Sequence, residues 1–239
     1  MEPRRIDAVV APVCRMTPRP PRNVPLPSGM VATATATVEE LLSLAIRHVN
    51  AGQGERARVL CEHAVAAHRP HPAVLQLLAV LDLQQGAVAQ ARGHAGASLA
   101  LRPDHLPTLL VASDAARAAG ASTQALELLE RVVALAPAHT DGWFQLALVR
   151  QDLHDLDGAA EALRVVLRMA PGRADAEVNL GIVLQEGGRT DEAMRAYGRA
   201  YRLRADTFGR IAHALSTPGA GRLWLWLDDL RTALRDTPA

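Results

Sequence analysis

Alanine recurs at Ala57, Ala91, Ala125, Ala159 and Ala193, a constant step of 34 residues. Pro103, Pro137 and Pro171 keep the same step, as do Gly52, Gly86 and Gly120, with Gly188 rejoining two periods later. A fixed period of this size constrains the fold more than any single motif. It marks one supersecondary unit that cannot bury its apolar face alone and must stack on its neighbours. Five units run in phase: 38–71, 72–105, 106–139, 140–173 and 174–207.

Each unit reads as two amphipathic helices. In the fifth, Val178, Leu180, Ile182, Val183 and Leu184 fill a first helix, and "GGR" interrupts it. Thr190 or Asp191 then caps a second helix expected from Glu192 to Leu203. The recurring alanines are placed where helices cross, because a small side chain lets two backbones approach to about 8–10 Å. Glycine at the break supplies the conformations of a tight turn, and proline stops the second helix of a unit. The first helix begins with "TVEE", where Thr37 and Glu40 form a capping box.

The pattern resembles the tetratricopeptide repeat family over residues 38–207. "AEVNLGIVL" supplies the Leu-Gly pair as Leu180 and Gly181, and Ala193 with Tyr197 supplies the Ala-x3-aromatic step. Trp143 and Leu146 give the opening of the fourth unit, while the first three units lack the Trp and Tyr. The resemblance implies an all-α, right-handed superhelical solenoid whose first helices line a concave groove for a peptide or protein segment. It also implies which positions line it. These are Glu39, Leu42, Ile46, Val49 and Asn50, then Ala73, Gln76, Val80, Leu83 and Gln84. Pro107, Leu110, Asp114, Arg117 and Ala118 come next, then Asp141, Phe144, Leu148, Gln151 and Asp152, and last Asp175, Val178, Ile182, Gln185 and Glu186.

That set holds six acids, Glu39, Asp114, Asp141, Asp152, Asp175 and Glu186, against Arg117 alone. The groove is therefore expected to be apolar in its first half and acidic in its second. The occupant it calls for is a protein or peptide segment that is apolar with basic residues. The clamp by which some members hold chaperone C-terminal carboxylates needs Lys and Arg in the groove and is not expected. One candidate occupant is internal. Residues 1–37 hold seven of the fifteen prolines and carry Arg4, Arg5, Arg15, Arg19 and Arg22 against Glu2 and Asp7, a net charge of +3. Such a stretch buries little and is expected to stay extended or disordered. It also contains Arg15-x-x-Pro18-x-x-Pro21, a short pattern of the polyproline-ligand type.

Over all 239 residues the formal net charge is +1, so no global attraction to nucleic acid or anionic membrane is expected. All 26 basic residues are arginine, as a GC-biased genome would give, and this excludes lysine chemistry such as a Schiff base or a phosphate-loop lysine; a bacterial source is expected. No stretch approaches the roughly 20 apolar residues of a membrane span, and the N-terminus makes a poor signal peptide. A cytoplasmic location is expected by default.

Three groups of side chains could carry chemistry. Cys61, His63, His68 and His71 lie close in sequence, but Cys61 and His63 sit about 200° apart around a helix and do not converge on a metal. A buried thiol with surface histidines is expected, and no metal. His71, His105 and His139 end three successive units, about 10 Å or more apart on helix-packing distances, and are expected to cap the next helix or face solvent. Arg195, Arg199 and Arg202 form a helical stripe expected to be a solvated outer face, and it makes an RNA-binding solenoid the alternative function. No nucleophile elbow, phosphate loop or HExxH occurs, so neither an enzyme nor a cofactor is expected. The leading expectation is a non-enzymatic scaffold, in the form of an assembly or maturation factor. Regulatory homo-oligomerisation is a further alternative.

The chain after Thr207 does not complete a sixth unit. "FGRIAHALS" makes one short helix, and Pro218, Gly219 and Gly221 prevent it from continuing. Leu223, Leu227, Leu230 and Leu234 then fall on a helical stripe, with Trp224 and Trp226 beside it. A solenoid needs its last apolar face covered, so residues 208–239 are expected to form a cap.

Overall fold

The computed structural model describes residues 36–216 and 227–237. All elements among them are helical. Ten helices pair in order: α1 (Val38–Asn50) with α2 (Gly54–Ala67), α3 (Pro72–Gln84) with α4 (Val88–Leu101), and α5 (Leu106–Ala118) with α6 (Ser122–Leu135). The series continues with α7 (Thr140–Asp152) and α8 (Leu156–Met169), then α9 (Ala174–Glu186) and α10 (Thr190–Leu203). Each second helix also packs on the first helix of the next pair, and α3 reaches α5. This nearest-neighbour packing makes an all-α solenoid. The proline-rich stretch 1–35 and the segment with Trp224 and Trp226 lie outside the described residues.

The periodic residues do what the period requires. Ala57, Ala91, Ala125, Ala159 and Ala193 are all fully buried at the helix crossings. Thr37 closes the capping box of α1: its hydroxyl accepts from the Glu40 amide at 3.3 Å, and its own amide donates to Glu40 Oε2 at 2.9 Å. Gly52, Gly86, Gly120 and Gly188 turn between the two helices of a unit with φ of 70° to 75°. In the fourth unit the same slot is taken by His154 at φ 61°, the one positive-φ non-glycine among the described residues. A side chain in this left-handed region costs roughly 1–2 kcal/mol. His154→Gly is therefore expected to stabilise the chain by about 0.5–1 kcal/mol, the gain being reduced by glycine's freedom when unfolded. A denaturant melt of the two forms checks this.

One helix start differs from the expectation. α10 begins at Thr190, with Arg189 as N-cap and no side-chain capping bond. The Gly188 turn is complete in one residue, so the Arg189 carbonyl already accepts from the Ala193 amide at 3.0 Å. Arg189 instead grips Glu192 with two bonds of 2.8 Å. Thr190 and Asp191 are thus inside the helix and do not cap it.

After a 3-10 turn at Ala205–Thr207, α11 (Phe208–Ser216) packs on α9 and α12 (Leu227–Asp236) packs on α10. Leu230 and Leu234 of α12 are buried, so two of the four leucines in the expected stripe seal the last unit. Leu223 and the side chain of Leu227 are outside the described residues. Two features of α10 receive α12. Gly198 leaves room, since a Cβ there would stand 2.9 Å from the Leu234 carbonyl oxygen. Arg202 Nη1 donates to the Thr237 carbonyl at 2.8 Å and lies 3.4 Å from those of Leu234 and Arg235. A cation at a helix C-terminus satisfies carbonyls that have no partner within the helix.

Candidate partner-binding groove

The first helices lie side by side, and polar bonds cross between them in a regular pattern. Arg117 on α5 donates to Asp152 on α7 at 2.5 and 3.3 Å. One unit on, Gln151 on α7 donates to both oxygens of Glu186 on α9 at 3.0 Å. These are the same two positions of successive units. The equivalent pairs in the first units are Val49 with Gln84 and Leu83 with Ala118, which offer no such bond. Gln145 adds a second tie to Asp114, and Arg173, at the start of α9, reaches back to Asp141 at 2.5 Å. The ladder of ties thus joins the third, fourth and fifth units.

Between α5 and α7 this face holds a depression of about 450 Å³. Leu110, Phe144 and Leu148 give it an apolar floor, and Asp114, Arg117, Gln145, Asp141 and Arg173 stand around it. The Arg173 guanidinium sits 4.4 Å from the centre of the Phe144 ring, a cation–π distance. It also donates to Asp175 at 3.2 Å. Desolvation works against the Arg173 charge, but the two carboxylates outweigh it and raise its pKa.

Most of the expected groove residues keep some exposure in the described structure. Leu42, Gln76, Val80, Leu83, Leu110, Phe144, Leu148, Gln151 and Ile182 are half-buried; Ile46, Asp114, Arg117, Asp141, Asp152 and Glu186 are exposed. Val178 and Gln185 are not available there. Val178 is fully buried, and Gln185 is spent on two internal bonds. Its Nε2 donates to the Ala214 carbonyl at 2.8 Å and its Oε1 accepts from the Tyr197 hydroxyl at 3.0 Å. For Gln185 the reason is α11, which packs on α9.

The acidic half is also less acidic than its sequence positions indicate. Arg117 neutralises Asp152, and Arg173 serves both Asp141 and Asp175. Arg173 lies in the turn before α9, outside the positions that the repeat pattern assigns to the groove. Its spacing of two residues from Asp175 was the available signal. Asp114 and Glu186 remain paired only with neutral amides among the described residues.

Elsewhere the side chains considered for chemistry are mostly taken up in the packing, although Nδ1 of His63 and of His71 is buried without a hydrogen-bond partner among the described residues. Cys61 is buried, and that burial pushes its thiol up to about 11 despite Arg58, with Glu62 adding to the shift. Among the described residues no three His, Cys, Asp or Glu side chains are arranged to hold a metal. His71, His105 and His139 are the N-cap residues of α3, α5 and α7. His139 Nδ1 accepts from the Gly142 amide at 2.9 Å, and His105 Nδ1 lies 2.8 Å from Thr108 Oγ1. The arginine stripe of α10 is largely committed. Arg199 grips buried Glu177 at 2.7 and 2.9 Å, and Arg202 holds the end of α12.

No family model matches the chain, and no curated protein matches it. Solved structures do. MamA from Desulfovibrio magneticus RS-1 (residues 41 to the end) superposes with a TM-score of 0.67 at 20% identity, over 71% of this chain and 96% of that one. TTC0263, a thermophilic tetratricopeptide-repeat protein of Thermus thermophilus, matches with a TM-score of 0.58 at 25% identity, over 76% of this chain and all of that one. The fold is that of the tetratricopeptide repeat. No helix among the described residues is long and apolar enough to cross a membrane.

Proposed function

We propose that the chain is a non-enzymatic protein-interaction scaffold, holding a segment of a partner protein against the face formed by its first helices. The observation that carries this reading is the depression between α5 and α7. It keeps Leu110, Phe144 and Leu148 together on one floor and only half-buried. Apolar surface held open in a concavity, with a few polar groups around it, is the usual make-up of a binding site. Along the first helices of the third to fifth units five carboxylates (Asp114, Asp141, Asp152, Asp175 and Glu186) stand against the guanidiniums of Arg117 and Arg173, so the segment that fits is apolar with basic residues. Long-range attraction between exposed charges is screened over about 8 Å at physiological ionic strength, so capture should weaken with salt. A role in assembling or maturing a larger complex is the form of scaffold proposed.

The test must spare the ladder, because reversing Asp141 or Asp152 would also strand Arg173 or Arg117. Leu148→Arg instead fills the floor and repels a basic segment. Crosslinking capture from the native host by the full chain is expected to fall by about ten-fold in this variant, the worth of one buried anchor, while its melting curve stays cooperative. Unchanged capture would sink the groove reading. Residues 1–37, with their net charge of +3, meet the same requirement. Removing them should raise partner affinity if they occupy the face in competition.

A further inference from the structure

One corner of the depression contains acceptors without adequate donors. Asp114 makes no ion pair among the described residues, because Arg117 beside it turns its guanidinium to Asp152. Its hydrogen bonds come from a single amide, Gln145 Nε2, at a long 3.2 and 3.4 Å. That amide has its own deficit: Gln145 Oε1 is buried with no donor. Asp114 opens to solvent on the groove side, yet the protein packed around it desolvates the carboxyl and pushes its pKa up, against the pull of Arg117 and Gln145. A carboxylate and an amide oxygen separated by one amide group accept and do not donate. The other cation of the depression, Arg173, is occupied by Asp141 and Asp175.

A ligand that answers this corner brings several N–H donors in one plane and a positive charge. A guanidinium has five donors in a fixed fork, whereas an ammonium is a compact point charge. Its aliphatic stem also needs apolar surface to lie on, and Leu110 and Leu148 supply it. We propose that Asp114 and Gln145 form a one-residue recognition pocket for an arginine side chain of the docked segment. Asp114 takes the guanidinium, and rotation of the Gln145 amide turns Oε1 to accept from its edge. The pocket rests on the groove reading and sharpens it: the basic residue of the partner is arginine, and it enters between α5 and α7. The fourth-to-fifth unit face has no such corner, because one repeat on the places of Asp114 and Gln145 are taken by Leu148 and Asn179.

The probe is N-acetyl-L-arginine amide, titrated into the 15N-labelled full chain, with the citrulline analogue in parallel. Citrulline keeps the shape and removes the charge. Saturable shifts are expected at Ser113, Asp114 and Gln145, with the citrulline analogue at least about ten-fold weaker, as charge-assisted pairs exceed neutral ones. Asp114→Asn should weaken the arginine response by about ten-fold, and the lysine analogue should fall between arginine and citrulline. Equal responses to arginine and citrulline, an arginine response undiminished in Asp114→Asn, or no shifts at these residues would overturn the pocket. In that event, partner capture still lost in Leu148→Arg leaves the groove reading in place, so the two failures are distinguishable.

Discussion

Tyr197→Ala is expected to destabilise the chain by about 3–5 kcal/mol, the range for emptying an aromatic site in a packed interior. Tyr197 is fully buried, and its ring fills the space over Gly181 so closely that a Cβ there would collide with it. Removing the ring leaves a cavity between α9 and α10 and takes the donor from Gln185 Oε1. The loss also travels. Gln185 is the residue that bonds the Ala214 carbonyl of α11, so α11 loses its fixed anchor. Tyr197→Phe keeps the ring and should cost only about 1 kcal/mol, the net worth of one hydrogen bond. Equilibrium denaturation ranks the two variants, and hydrogen exchange along residues 208–216 should rise in both. A small effect of Tyr197→Ala would mean that the Gly181–Tyr197 contact is not the lock of the last unit.

The second large effect is expected at Arg199. Glu177 is 5% exposed and depends on the bidentate guanidinium of Arg199. Breaking a buried pair from one side costs about 3–5 kcal/mol, because a charge is left behind without compensation. Here Arg199 is about a third exposed, and water screens part of the loss, so Arg199→Ala should cost about 2–3 kcal/mol. Replacing both partners with apolar residues, as in Glu177→Leu with Arg199→Met, should recover most of it. If Arg199→Ala is silent in a thermal melt, the pair is a surface feature and Arg199 is free for another role. The expected result bears on the RNA alternative, since an arginine bound to a buried glutamate is poorly placed to meet a phosphate.

The array was legible in the sequence because its determinants are positional. A buried alanine, a turning glycine and a stopping proline each need only a place in the repeat, and the places recur. The capping leucines were legible for the same reason: Leu230 and Leu234 keep helical spacing whatever they pack on. The groove was legible only where it stays open. Val178 and Gln185 occupy groove positions by register, yet both are buried, Gln185 with a bond to α11, and nothing in their own unit signals that. Charge was harder still. The count of groove acids omitted Arg173, which approaches from a turn, and Arg199 and Arg202 read as a solvent-facing stripe until their partners, Glu177 and the end of α12, were known. Spacing along a helix fixes which side a residue faces; it does not say what comes to meet it.

The ties across the first-helix face have a mechanical consequence. Junctions in a repeat array act as springs in series, since each unit touches only its neighbours. The junctions from the third unit to the fifth are bolted by Arg117–Asp152, Gln151–Glu186 and Arg173–Asp141, whereas the first-helix faces of the opening units meet through Val49, Leu83 and their neighbours without such bolts. The opening units are tied on other faces instead, by Arg58–Asp82 and Gln85–Glu55 between the first two and by Arg92–Gln124 between the second and third. A partner that anchors between α5 and α7 would therefore meet first helices whose spacing is held, while the first helices ahead of it are freer to spread along the remainder of its length.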